Sequence, residues 1–251
     1  MARRLHVIQP LKIVHTSDVH LNDEPDGYKV RDAFTQVVDT VLDTQSDLFL
    51  IAGDLFDHNE VQRKTVDFVY EQLARLSCPT VVIVGNHDVW DARSVIKRMD
   101  FRKSGEHVTL LNEADGAQVT FSDLQATVWG RCMLDHDLTN KPMAGAPPRR
   151  DNLWHIGMAH GLYTDDPETA RSSLITPQEI EASGFDYLAL GHVHAHRQMR
   201  HGNTLACYPG VCAAHMGTID AGCVALITLT PGKGAKAVAH RLGDARPRKR
   251  A

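Results

Sequence analysis

Short apolar runs and amphipathic stretches alternate through the first third of the chain. Leu11 to Thr16 reads as a strand, and residues 28–45 place Val30, Phe34, Val37, Val38 and Val41 at helical spacing. Leu48 to Ala52 is an unbroken apolar run of the kind carried by central strands buried on both faces. Val66, Val69, Leu73 and Leu76 predict a second helix over about 59–76, and Thr80 to Val84 a third strand. Strand, helix, strand, helix, strand is a βαβαβ unit, whose parallel strands bring their carboxyl ends to one edge.

The pattern then changes. A short helix is predicted near 92–100, followed by runs at 108–111, 118–121 and 126–129 that read as antiparallel hairpins. Pro142 to Arg150, rich in proline, reads as a loop. Strands return at 153–159 and 187–190, and close the chain near 204–208, 223–229 and 236–242. The expected fold class is α/β, a four-layer α/β/β/α sandwich of two mixed β-sheets flanked by helices. A single domain is expected over 1–245, with a basic tail at 246–251.

Composition narrows the function classes. The net charge of −4 argues against attachment to nucleic acid by global charge alone, and leaves a local basic surface open. Arg149, Arg150, Arg197, Arg200 and the terminal basic run are the candidate phosphate contacts. Five cysteines without a CxxC pair read as reduced thiols. The amino terminus lacks the apolar core of a secretory signal, and no run approaches the roughly 20 apolar residues of a membrane span. A cytoplasmic protein is expected, without a membrane partner.

The chemistry lies where the strands end. Asp18-Val-His20, Gly53-Asp54-Leu-Phe-Asp57, Gly85-Asn86-His87-Asp88, Ala159-His160-Gly161 and Gly191-His192-Val-His194 each sit at or just after an apolar run. Strand ends on one edge are where α/β folds bind ligands. Alone, each set is weak: an Asp-x-His is common by chance and a Gly-Asp is usually a turn. Together they supply the carboxylate, imidazole and amide oxygen ligands that two divalent ions need. Asp18 and His20 are expected to alternate along an extended segment, as are His192 and His194, so that each pair faces one side. Glycines 53, 85 and 191 would let backbone approach a ligand closely.

The series resembles the calcineurin-like metallophosphoesterase superfamily over residues from about 11 to 215. The resemblance implies that Asp18, His20 and His194 bind one ion, that Asn86, His160 and His192 bind the other, and that Asp54 bridges both. It also implies that His87 is the catalytic histidine, with Asp57 as its paired carboxylate; Asp88 is the more local candidate for that pairing. Gly53-Asp-Leu-Phe-Asp57 and Tyr208-Pro-Gly210 are most similar to the SbcD/Mre11-type DNA repair exonuclease group. The implied cofactors are two divalent ions, Mn²⁺ first, with Fe²⁺, Zn²⁺ or Co²⁺ as alternatives. The implied activity is phosphodiester hydrolysis, nuclease-like with DNA as partner, or else hydrolysis of a small nucleotide-type diester or monoester.

Overall fold

The computed structural model describes residues 8–24, 27–166, 169, 171–213 and 222–243. The first half of the chain forms β1 (Leu11–Thr16), α1 (Gly27–Asp43), β2 (Leu48–Ala52), α2 (Arg63–Leu73), β3 (Thr80–Ile83), β4 (Val108–Leu110), β5 (Ala117–Phe121) and β6 (Ala126–Gly130). The second half forms β7 (Trp154–His160), β8 (Leu162–Tyr163), β9 (Leu174–Ile175), α3 (Pro177–Ser183) and β10 (Tyr187–Gly191). It ends with β11 (His196–His201), β12 (Thr204–Pro209), β13 (Cys223–Thr230) and β14 (Gly234–Arg241). The basic tail at 246–251 lies outside the described residues.

Two six-stranded mixed sheets result, in the orders β14-β13-β1-β2-β3-β4 and β11-β12-β10-β7-β6-β5. In the first, β1 to β4 are parallel and β13 and β14 antiparallel. In the second, β6, β7, β10 and β12 are parallel, with antiparallel edges at β5 and β11. Ile13, Leu50, Val81 and Ile83 from the first sheet pack against Val128, Ile156, Met158 and Ala189 from the second. Phe34, Val37, Val38, Val69 and Leu73 of α1 and α2 cover the other face of the first sheet, against Phe49 and Ile51. The fourth layer is thin. Ile180 of α3 and Met143 of the β6–β7 loop cover Leu188, Leu190 and Tyr208.

Two sequence expectations change. Residues 92–100 do not make an α-helix but a 3₁₀ turn at Ile96–Arg98, with a second at Phe101–Lys103. Extended backbone at Met99 and Asp100 separates them, held where the Asp100 N–H donates to the Tyr70 hydroxyl at 2.9 Å and the Asp100 side chain caps Arg102. The run at 108–111 is not part of a hairpin: β4 extends the first sheet parallel to β3. Only β5 and β6 form the antiparallel pair expected there. Among the described residues no helix is long and apolar enough to cross a membrane.

Candidate metal centre

The pairing of β1 with β2 continues beyond the sheet. Asp18 N donates to Gly53 O at 3.0 Å, His20 N to Asp54 O at 3.1 Å and Leu21 N to Leu55 O at 3.0 Å. Asp18, His20 and Asp54 nevertheless take left-handed φ values of 53°, 56° and 52°, and His192 one of 99°. The segments are therefore not extended as the alternation implied. Each left-handed step turns a ligand-type side chain toward the gap between the sheets. Such conformations cost on the order of 1–3 kcal/mol each in non-glycine residues and concentrate at functional sites. At two glycines the crowding is direct. A Cβ on Gly85 would lie 2.1 Å from Asp54 Oδ1, and one on Gly191 would lie 2.0 Å from the Ala52 carbonyl oxygen.

Two groups of donor atoms form in that gap. Asp18, His20 and His194 converge in the first. His20 Nε2 lies 3.3 Å from His194 Nε2, which lies 3.6 Å from Asp18 Oδ1. The second joins Asp54, Asn86, His160 and His192. His160 Nε2 is 3.2 Å from Asp54 Oδ2 and 3.1 Å from Asn86 Oδ1, while His192 Nδ1 reaches the same amide oxygen at 2.9 Å. Asp54 sits between the groups, since Asp18, Asp54 and His160 also form one cluster. The His192 N–H donates to both Asp18 oxygens at 3.0 Å, tying the β10 loop to the β1 loop.

The tautomers test whether metal ions fit. His160 Nδ1 donates to the Ala52 carbonyl at 2.8 Å, which turns its Nε2 toward the Asp54 carboxylate and the Asn86 amide oxygen. Asp57 Oδ1, 3.1 Å from His20 Nδ1, likewise leaves His20 Nε2 facing His194. Carboxylates set this close call for positive charge among them. An oxygen and nitrogen donor set without thiolate suits a divalent ion. The same carboxylates draw a proton onto His160. Burial alone would lower the His160 pKa, but Asp54 and Asp18 outweigh it and push it up to about 10. Burial would raise the Asp54 carboxyl, but His160 above all holds it well below the usual carboxylate range. His192, buried and facing His160, is lowered to about 4.

Exposure grades across the site. The side chains of Asp18, His20, Asp54 and His160 are at most 2% exposed, that of His194 is 26% exposed and that of His87 34%. Its Nδ1 donates to the Asp57 carbonyl oxygen at 2.8 Å and lies 3.5 Å from the Asp57 carboxylate. Asp88 does not share that pairing. Its carboxylate is fully buried and accepts the N–H groups of Leu55, Phe56 and Gly85 at 2.8, 3.2 and 2.8 Å. Burial, then Asp54, raises its pKa to about 6.

Sequence reasoning missed His136. It stands in the β6–β7 loop outside every ligand-type motif, yet its ring centroid lies 5.4 Å from that of His192. Spacing offered no signal for it, because a 23-residue connection separates β6 from β7 and only the folded loop brings it back to the centre. Conversely, two predicted phosphate contacts lie elsewhere. Arg149 pairs with Asp186 at 2.9 Å and donates to Leu153 O at 2.8 Å, beside the strand starts that face away from the centre. Arg200 donates to Ala235 O at 2.8 Å, at the same far end. Arg197 lies over the Tyr163 ring, 5.1 Å from its centroid.

Comparison with known proteins places this geometry. The chain is 28% identical over 227 residues to the DNA double-strand break repair protein Mre11 of Aeropyrum pernix, covering 80% of this chain and 53% of that one. It is 25% identical over 264 residues to the D component of the nuclease SbcCD of Bacillus subtilis, covering 89% and 66%. Similarity to an uncharacterized metallophosphoesterase of the same bacterium, YhaO, is 25% over 235 residues, covering 81% and 53%. The chain thus spans about half to two thirds of the length of these relatives. The crystal structure of TT1561 of Thermus thermophilus superposes with a TM-score of 0.63 at 12% identity, over 92% of this chain and 99% of that one, a likeness of fold alone. The calcineurin-like phosphoesterase profile matches residues 11–196, the span that carries all five motifs, and the chain belongs to that family.

Proposed function

We propose that this protein is a dinuclear metal-dependent phosphodiesterase that cleaves nucleic acid in the manner of a nuclease. The carrying observation is the convergence of carboxylate and imidazole atoms beside the half-buried His87. In this reading Asp18, His20 and His194 hold one ion, Asn86, His160 and His192 the other, and Asp54 both. Two divalent ions, Mn²⁺ first, would neutralise the phosphoryl oxygens and supply an acidified water as nucleophile.

The remaining steps belong to the chain itself. Asp57 fixes the His87 ring through Nδ1, which leaves Nε2 for the substrate. From there His87 donates its proton to the leaving oxygen. His136, beside His192, contacts the phosphoryl group or its substituent from the loop side. The nuclease reading is supported by the similarity to Mre11 and to the SbcCD component.

The test is turnover by Mn²⁺-reconstituted protein on bis-p-nitrophenyl phosphate, p-nitrophenyl phosphate and end-labelled single- and double-stranded DNA. Diester cleavage and DNA shortening are expected, both reduced about 10²- to 10⁴-fold in His87→Ala while metal content is retained. Diester cleavage with intact DNA would replace nucleic acid with a small nucleotide-type substrate. Cleavage of the monoester alone would sink the diesterase reading.

A further inference from the structure

A cavity opens between α2 and the Ser94–Lys103 segment. It encloses about 280 Å³ over a floor of Val61, Val66, Tyr70, Val95 and Met99. Arg63, Arg98 and Lys103 stand at its rim. That volume lies at the lower edge of ligand-sized pockets, about 300–1,000 Å³, and suits a group no larger than one heterocycle with its sugar.

Its walls are preformed. Asn59 Oδ1 accepts from Val95 N at 2.9 Å, the Arg98 guanidinium donates to Asn59 O at 2.7 Å, and the Tyr70 hydroxyl holds Asp100 N. The charge is segregated as well. The chain carries −4 overall, yet residues 93–103 hold five basic side chains against one acidic one. Arg63 is shared with Asp67 at 2.7 Å, but Arg98 spends only one of its five donors on Asn59, and Lys103 lies 5.5 Å from the Tyr70 ring centroid.

The segments that line the cavity directly follow, in the chain, the loops that build the centre. Val61 is four residues beyond Asp57, and the segment lining the far wall starts shortly after Asp88. Chain reach puts the Cα atoms of Asp57 and Val61 within about 14 Å. We propose that this cavity is a nucleotide subsite: it takes one base of a substrate strand on its apolar floor while Arg98, Lys103 and Arg63 hold the flanking phosphates. An apolar slot rimmed by cations matches a unit that alternates a flat heterocycle with an anion. The proposal rests on the nuclease reading and adds to it the path of the strand away from the scissile phosphate.

The experiment measures anisotropy of a fluorescein-labelled single-stranded oligonucleotide with Mn²⁺-loaded His87→Ala protein, which binds the strand without consuming it. Two further changes are compared in that background: the pair Arg98→Glu/Lys103→Glu, and Val66→Trp, which fills the slot without altering charge. Each should weaken binding by about tenfold or more, and the charge reversal should flatten the salt dependence by about 0.7 for each phosphate no longer held. With His87 restored, each should slow DNA shortening while bis-p-nitrophenyl phosphate, too short to reach the cavity, is cleaved at the original rate.

Oligonucleotide binding unchanged in both variants overturns the proposal. So does a dimer, detected by sedimentation and lost in the variants, which would seat a second copy in the cavity. If the unmodified protein neither binds nor shortens DNA, the nuclease reading falls and this inference with it. If it shortens DNA and the variants shorten it equally, only the subsite falls.

Discussion

His15 is fully buried in β1, three residues before Asp18, with its Nδ1 2.7 Å from the Tyr187 hydroxyl. Burial, and secondarily His196, lowers its pKa to about 3. In the unfolded chain the same imidazole titrates near 6.5. Above pH 6.5 both states are neutral there and His15 makes no pH-dependent contribution. As pH falls from 6.5 towards 3 only the unfolded state takes up the proton, so stability is lost across that window, by roughly 4–5 kcal/mol if the whole shift is expressed. His15→Leu should flatten the stability–pH curve between 6.5 and 3 in urea melts; a curve parallel to the wild type's would show that His15 is not a source of acid sensitivity. Asp57 poses a different question, since it reaches both His20 and His87. Asp57→Asn should weaken Mn²⁺ binding or turnover by about 10- to 100-fold, the usual cost of losing the group that orients a ligand. Titration calorimetry would separate the two, and unchanged affinity together with unchanged kcat would remove Asp57 from the centre's support.

At the scale of elements, legibility followed the burial of both faces. β2 and β10 are buried along their whole length, and each was visible as an apolar run. β11, His196–His201, was missed because an edge strand with one wet face carries long polar residues, and its burial alternates only weakly. β4 was recognised as a strand but assigned the wrong partner, since an apolar run records burial and not the neighbour that provides it. α3 escaped because seven residues give too little periodicity, although its start carries a clear signal. Thr176 accepts from Glu179 N while the Glu179 carboxylate accepts from Thr176 N at 2.8 Å, with Pro177 in the first turn. Thr176→Ala should therefore lower stability by about 1 kcal/mol. α3 packs on the outer side of the second sheet, so hydrolysis of the small diester should be unaffected at temperatures where the variant is folded. A loss of turnover without unfolding would mean that α3 reaches the centre through β10.

For the whole molecule, the five motifs were readable together because strand order converts positions far apart in the chain into neighbours at one edge. Asp18, Asp54 and Asn86 follow β1, β2 and β3 of the first sheet, while His160, His192 and His194 end or follow β7 and β10 of the second. The left-handed steps at Asp18, His20, Asp54 and His192 were not readable, because tertiary pairing imposes them on residues that do not favour them. The centre is therefore a joint between sheets in which Asp18 and Asp54 call for positive charge among them. Metal ions held there stabilise the folded state by mass action, roughly 2.7 kcal/mol when free metal is a hundred times its Kd. Chelation should lower the melting temperature, and the midpoint should climb again with the logarithm of free Mn²⁺. Asp54→Ala, which removes the group proposed to serve both ions, should abolish that dependence and melt at the same temperature with and without chelator, whereas His160→Ala, which touches the donors of one ion, should weaken it. A melting temperature of the unmodified protein indifferent to Mn²⁺ and to chelator would contradict the metal joint directly, whatever the substrate proves to be.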